Sequence, residues 1–326
     1  MDPFSALREI ANLNENRIDL IHLHTPFIAR HVAIKASRVH SIPLIETQHT
    51  LFEEYLHHYI PLLPRKLGSK LARSLSVRNQ GHFDGFVVPS VEMQRRLIEY
   101  GCTRPINIVP TGIEADQFRA SDPNGFRRRH GIRSDQPVLL FVGRLAHEKN
   151  IELLISMTAI VKRSLPDVLL IVAGEGPATR PLKGLAKKLG VRENVRFMGY
   201  LRDREDLANC YACADLFVFG SRTETQGLVL LEALAAGTPA LCVSEMGTRD
   251  IVDSCTSVMD APPEAGPFAQ RCLSILTDHD LLRSLHENTS QDIQNWTAEK
   301  LTAKMSAFYQ EVVSTRRGIP HEFATT

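Results

Sequence analysis

Residues Ser221–Pro239 read SRTETQGLVLLEALAAGTP, and the build of this stretch decides the architecture. From Leu228 to Ala236 nearly every residue is a strong helix former, Gly237 suits a left-handed cap, and Pro239 prevents continuation. The helix therefore starts near Gln226-Gly227, after a loop that follows the apolar run Leu216–Phe219, a strand. Strand, loop and helix in that order aim the first helical amides back over the carboxyl end of a sheet. Open α/β folds bind ligands there, and a helix N-terminus favours phosphate. Glu224 precedes this helix and Glu232 lies two turns inside it. At helical rise eight residues put them about 12 Å apart with an offset of roughly 80°. That is too wide for two carboxylates working on one bond, which need roughly 5–10 Å. It suits carboxylates that accept from different hydroxyls of one elongated ligand. The plain alternative is a charge at a helix start and a solvated Glu232.

Working outward, Phe141–Asn150 reads FVGRLAHEKN. A strand ends at Val142, Gly143 turns, and a helix begins around Asn150, so Arg144 and Lys149 project over the same carboxyl edge. A guanidinium and an ammonium there would neutralise a diphosphate. The alternative is a solvated basic loop pairing with Glu148. Further strands are expected at Leu20–His24, Pro43–Thr47, Gly85–Pro89, Asn107–Pro110, Val138–Val142, Val168–Ala173, Val195–Gly199 and Ala240–Val243. Segments of helical period lie between them, among them Ile151–Ser164 and Pro181–Leu189. This alternation predicts α/β architecture with parallel sheets covered on both faces. A polar, arginine-rich stretch at Thr111–Gln136 marks a domain junction, and from Asp278 the chain reads as helices with Trp296 and Phe308-Tyr309 as docking anchors.

The bulk numbers fit this reading. With 326 residues, 43% of them hydrophobic and 23% charged, the chain has the composition of a globular protein with two domains. A net charge of +1 leaves nucleic acid without global support as a partner. The six cysteines follow no framework spacing, and Cys210-x-x-Cys213 has no second pair, so buried structural thiols are expected rather than a metal or redox site. The sequence shows neither a secretory signal in Met1–Arg17 nor an apolar run of the roughly 20 residues that span a bilayer. A cytoplasmic location is expected.

Gly143-Arg144-Leu145 followed by Lys149-Asn150, together with Glu224-x(7)-Glu232 inside a Gly-Leu…Glu-Ala-x-Ala-x-Gly-x-Pro run, resembles the donor site of the large retaining glycosyltransferase family of GT-B fold, glycosyl transferases group 1. Asp19–Phe27, Thr47–Tyr55 and Glu224–Leu228 are similar in wording to diacylglycerol glucosyltransferases. The resemblance implies two Rossmann-like domains facing across a cleft, with the C-terminal tail crossing back to the first: 1–112 on the acceptor side, 113–294 binding the nucleotide sugar, and 295–326 as the tail. It implies transfer of a hexose from a UDP-glucose-type donor, with retention, by a front-face route, without cofactor or metal, to a lipid or glycan acceptor such as diacylglycerol. Arg144 and Lys149 would bind the diphosphate, and Glu232 the ribose. Glu224 would hold sugar hydroxyls with Thr225 and the amides of Gln226, Gly227 and Leu228. Gly143 would line the donor, His49 would reach the donor sugar, and Arg196–Tyr200 would flank the base. Relatives place a strand, a glycine-rich loop and a helix ahead of His22-x-His24, so the N-terminal domain is expected to be incomplete.

Pro61–Arg78 carries Arg65, Lys66, Lys70, Arg73 and Arg78 with no acid, and Leu67, Leu71 and Leu75 on one face. This is an interfacial pattern that suits peripheral contact with anionic lipid on the inner face of the membrane, against the alternative of an ordinary packed helix. Asp278-His279-Asp280 is read as a helix cap. His22 and His24 are read as alternating, one inward and one toward the cleft, with neither catalytic; His57-His58 has no partner pattern. Two rival functions are set against this reading, and the motif argues against the second. One is a truncated, catalytically silent nucleotide-sugar-binding protein. The other is a nicotinamide-dependent dehydrogenase, of whose glycine motif Gly174-Glu175-Gly176 is a fragment, residue 179 being threonine.

Overall fold

The structure is a computed structural model that describes residues 18–25, 28–49 and 80–317. The expectations on Met1–Arg17, Pro26-Phe27, Thr50–Tyr55, His57-His58 and Pro61–Arg78 lie outside these residues. Two compact units emerge, one from Met1–Pro110 with Glu299–Thr326, the other from the continuous stretch Thr111–Ala298.

In the first unit the elements run β1 (Ile21–Leu23), α1 (Ile28–His40), β2 (Leu44–Thr47), β3 (Gly85–Val88), α2 (Val91–Glu99) and β4 (Ile106–Ile108). The strands form one parallel sheet in the order β1-β2-β3-β4. β2 and β3 are buried throughout; β3 is apolar along its length, as a strand covered on both faces should be, whereas β2 also buries Glu46 and Thr47. Ser90 caps α2 by accepting from the amide of Met93. Within the sheet's cover, Arg30 and Glu46 pair at 2.8 Å, with the Arg30 guanidinium 5.1 Å from the centre of the Phe83 ring.

The second unit runs α3 (Pro123–Arg129), β5 (Val138–Val142), α4 (Ile151–Val161), β6 (Leu169–Ala173), α5 (Thr179–Lys188), β7 (Val195–Gly199), α6 (Arg204–Ala212), β8 (Leu216–Phe219), α7 (Leu228–Ala235), β9 (Ala240–Cys242), α8 (Gly247–Ser254), β10 (Val258–Asp260), α9 (Ala265–Thr277) and α10 (His279–Asp292). Its six parallel strands lie in the order β10-β9-β8-β5-β6-β7. The order reverses between β5 and β8, which pair through Leu139–Leu216 and Leu140–Phe217. β10 was not expected from the sequence. It is three residues long, only Val258 is fully buried, and it exists by pairing with β9. Asp278 caps α10 through the amide of Leu281, at 3.0 Å.

The chain returns to the first unit as α11 (Ala298–Arg317), whose Phe308 and Val312 join Ile45, Val87 and Val109 in that unit's core. Entry to and exit from the second unit run side by side. Ile113 bridges Thr297, the Ile113 amide donates to the Trp296 carbonyl, and a Cβ on Gly112 would stand 2.5 Å from the Ala298 Cα. All six cysteines are free and buried.

Candidate active site

The reversal of strand order opens a crevice between the carboxyl ends of β5 and β8, the place where doubly wound sheets take ligands. Two loops border it, residues 143–150 after β5 and 220–227 after β8. Their backbones are tied: the Asn150 side chain donates to the Gly220 carbonyl at 3.1 Å, and the Ser221 hydroxyl bonds the Glu148 carbonyl at 3.1 Å. Asn150 holds a left-handed conformation, φ 50°, which asparagine tolerates better than most residues. Across the crevice the Lys149 ammonium meets Glu224 Oε1 at 2.6 Å, and the Ser221 hydroxyl donates to the same oxygen at 2.8 Å. Both ends of the ion pair are mostly shielded from solvent. Arg144 pairs with Glu148 and remains largely exposed. The solvated basic loop is thus half right: it describes Arg144, whereas Lys149 serves the opposite loop.

Glu224 sits on a loop, and only the part of the interval from Leu228 onward is helical, so a separation computed at helical rise does not apply to Glu224 and Glu232. Glu232 is not a solvated surface carboxylate either. It accepts from the Tyr211 hydroxyl at 2.7 Å, and burial pushes its carboxyl above the ordinary range. Gly227 begins α7 with φ 92°, and Leu228 is partly exposed at its first turn. Thr225 is half-buried, and its carbonyl lies so close to Gly247 that a Cβ there would be 2.1 Å away. Gln226 turns its side chain from the crevice and pairs with the backbone of Thr111 twice, donating to its carbonyl and accepting from its amide, each at 2.8 Å. Met246 adopts φ 54° and ψ −130°, a strained pose for a side-chain-bearing residue. The Gly247 amide, bonded to the Glu224 carbonyl at 2.9 Å, fastens that turn to the Glu224 loop.

Beside Gly143 and Arg144 lies a cavity of about 340 Å³, lined also by Gly174, Glu175, Tyr200, Leu201 and Leu207. It gathers the ends of β5, β6 and β7. Glycine is required here for a steric reason. Gly174 has φ 135°, and a Cβ on it would stand 1.9 Å from the Gly143 carbonyl oxygen. On Gly176 a Cβ would stand 2.3 Å from the Leu145 carbonyl oxygen. Gly174-Glu175-Gly176 thus lets two strand-end loops touch, which accounts for a motif the sequence presented only as a dehydrogenase fragment. Tyr200 ends the Arg196–Tyr200 stretch that the resemblance sets beside the base, whereas Leu201 and Leu207 carried no signal in the sequence, because which strand ends adjoin depends on strand order.

In the first unit His49 joins a cluster at the carboxyl ends of β1 and β2. His24 Nδ1 and His49 Nε2 are 3.1 Å apart. His22 bonds the Tyr309 hydroxyl through Nδ1 and the Thr47 hydroxyl through Nε2, each at 2.6 Å. The His22 and His24 rings lie 4.0 Å apart, so the two do not alternate, although His22 is half-buried and His24 exposed. Residues two apart on a strand share a face. Burial, then the imidazoles of His24 and His49, pushes His22 down to about 4. Its unfolded value is near 6.5, so between 6.5 and 4 the unfolded chain takes a proton that the folded cluster refuses. The stability from neutral His22 is complete above about 6.5 and is lost as pH falls toward 4. Glu46, raised to about 7 by burial, imposes a slope of the opposite sign. The discriminating quantity is therefore the difference between wild type and His22→Gln in urea titrations followed by circular dichroism. The wild type should lose about 1 kcal/mol relative to the variant between pH 7 and 4.5, the shift being discounted for a part-exposed ring. A pH-independent difference would overturn this.

The chain matches the family model of glycosyl transferases group 1 over residues 124–292 and that of glycosyltransferase family 4 over residues 1–117. It is 33% identical to alpha-monoglucosyldiacylglycerol synthase of Streptococcus pneumoniae over 245 residues, 73% of this chain and 54% of that protein. To the enzyme of the same name from Acholeplasma laidlawii it is 28% identical, over 72% of this chain and 61% of that protein. The chain thus spans little more than half the length of these relatives. Among solved structures it superposes on Anabaena Alr3699/HepE in complex with UDP, with a TM-score of 0.80 at 19% identity, covering 94% of this chain and 82% of that one. The neighbours of known structure share the GT-B fold. With more than half of its length matched by one model and its second unit built around a doubly wound switch point, the chain belongs to glycosyl transferases group 1.

Proposed function

We propose that this protein is a retaining glycosyltransferase that takes a hexose from a UDP-sugar held at the β5/β8 crevice and passes it to a diacylglycerol-class lipid. The observation that carries the reading is the Lys149–Glu224 pair spanning the switch point of the sheet. In this reading Lys149 and Arg144 neutralise the diphosphate as the sugar leaves, which stabilises charge where it develops. Glu224 accepts from sugar hydroxyls, aided by the amides of Gln226, Gly227 and Leu228 at the start of α7. Glu232 accepts from the ribose through Oε1 while Tyr211 holds its other oxygen. The cavity between Gly143, Gly174 and Tyr200 takes the base, and His49 serves the donor sugar from the first unit.

The donor assignment draws support from Alr3699/HepE, solved with UDP and with UDP-glucose. The acceptor assignment draws on the two relatives named as glucosyldiacylglycerol synthases. Among the described residues no helix is long and apolar enough to cross a membrane. In our reading the lipid is met at the bilayer surface through Pro61–Arg78, supported by its acid-free basic sequence.

Calorimetric titration with UDP and then UDP-glucose tests the donor site. The wild type should bind both, and Arg144→Ala with Lys149→Ala should weaken UDP by about a hundredfold, two charge-assisted contacts being removed. A folded wild type that binds neither nucleotide overturns the reading.

A further inference from the structure

A second cavity in the same unit, about 530 Å³, lies between α5, the turn at Arg192–Asn194 and β7. Of its eight lining residues four are cations, Lys183, Lys187, Arg192 and Arg196, and none is an acid. This is not the background of a basic protein, since the net charge is +1. The cations come from one acid-free stretch, Pro177–Arg192, and from the neighbouring edge strand.

Their charges are poorly compensated. Lys183 stands 5.5 Å from the centre of the Phe197 ring, a cation–π contact. Arg196 donates to the neutral carbonyl of His130. Among the described residues Arg192 pairs with the adjoining Glu193 at 4.0 Å, both largely exposed, a pair that contributes little. Lys183 and Lys187 are four apart on one helix, where like charges repel. The helix also carries Gly184 in its interior, which costs stability relative to alanine. Packing does not demand this glycine, because a Cβ there would meet nothing within 4 Å. It lines the cavity, where the absence of a side chain leaves room. Poorly compensated cations around an open space that Phe197 also lines are the inverse of a compact anion, and a concave surface lined by one sign of charge concentrates counter-ions.

We propose that this cavity is a second binding site, for a phosphate-class anion, distinct from the donor crevice. The two guanidinium groups supply forked donors and the lysines point charges, the combination that recognises phosphate oxygens. A free phosphate and a phospholipid headgroup present the same chemistry.

The test uses the whole chain and two probes. One is inorganic phosphate in calorimetry, and the other is phosphatidylcholine vesicles with and without phosphatidylglycerol in a sedimentation assay. Lys183→Gln/Lys187→Gln/Arg192→Gln is compared with Arg119→Gln/Arg163→Gln/Arg283→Gln, which removes the same charge elsewhere. A loss of about tenfold or more in the first triple, with less than about twofold in the second, is expected for at least one probe. The probe that responds identifies the source. Gly184→Gln, which adds bulk to a lining position without changing charge and is easily borne by a helix, should weaken the responding probe in the same way. UDP affinity should be equal in all variants, which separates failure here from failure of the donor reading. Equal losses in the two triples, or binding of neither probe by the folded wild type, would overturn the proposal.

Discussion

Gly174→Ala should destabilise the second unit by about 3 kcal/mol or more, the sum of a strained φ and a backbone clash. The added Cβ would stand 1.9 Å from the Gly143 carbonyl oxygen, and neither side can yield cheaply. The Gly174 amide is bonded to the Gly199 carbonyl at 2.7 Å, and the Gly143 amide to the Ala173 carbonyl at 3.0 Å. Relief therefore requires parting the ends of β5, β6 and β7 together, and the cavity they line goes with them. Gly266→Ala, placed where a Cβ meets nothing within 4 Å, is the matched control and should be neutral or mildly stabilising. Urea unfolding of both variants checks this. A Gly174→Ala protein as stable as the control would show that the strand-end contact is softer than its geometry implies.

Lys149→Ala is the second large effect. On the proposed function it should reduce kcat/KM for UDP-sugar turnover by about 10²–10³, the cost of losing one preorganised charge at the reacting end. Two causes act together. A positive charge is withdrawn from the proposed diphosphate site, and Glu224, now without its partner at 2.6 Å, is left as a shielded unpaired anion. The second cause is separable. In Lys149→Ala/Glu224→Ala the losses should fall short of additive by about 1 kcal/mol or more, because the groups share one interaction. Additive losses in initial-rate measurements of UDP release would mean that the pair is not a unit in the working enzyme.

Much of the second unit was legible from its residues. Val138–Val142 and Leu216–Phe219 form strands with the expected bounds, since a parallel strand buried on both faces leaves an uninterrupted apolar run. Glu224 and Lys149 stood out individually, yet not as partners. They are 75 positions apart, and what joins them is the adjacency of β5 and β8, a property of strand order. The same blindness hid Leu201 and Leu207, which meet Glu175 and Tyr200 in one cavity. Gln226 was read for its amide, whereas its side chain fastens Thr111, a contact 115 residues distant. His22 and His24 were misjudged for a local reason, strand parity, that the sequence alone could have settled.

The second unit is one uninterrupted stretch, while the first takes its core from both sides of it. On the ribosome this imposes an order. Ile45, Val87 and Val109 emerge early, but Phe308 and Val312, which complete their cluster, follow only after Thr111–Ala298 has been translated. At roughly 5–20 residues per second that delay is roughly 10–40 s, ample for the later-born unit to fold before the earlier one can close its core. The nascent first sheet thus waits with an unfinished core, the situation in which a chaperone's cover is useful.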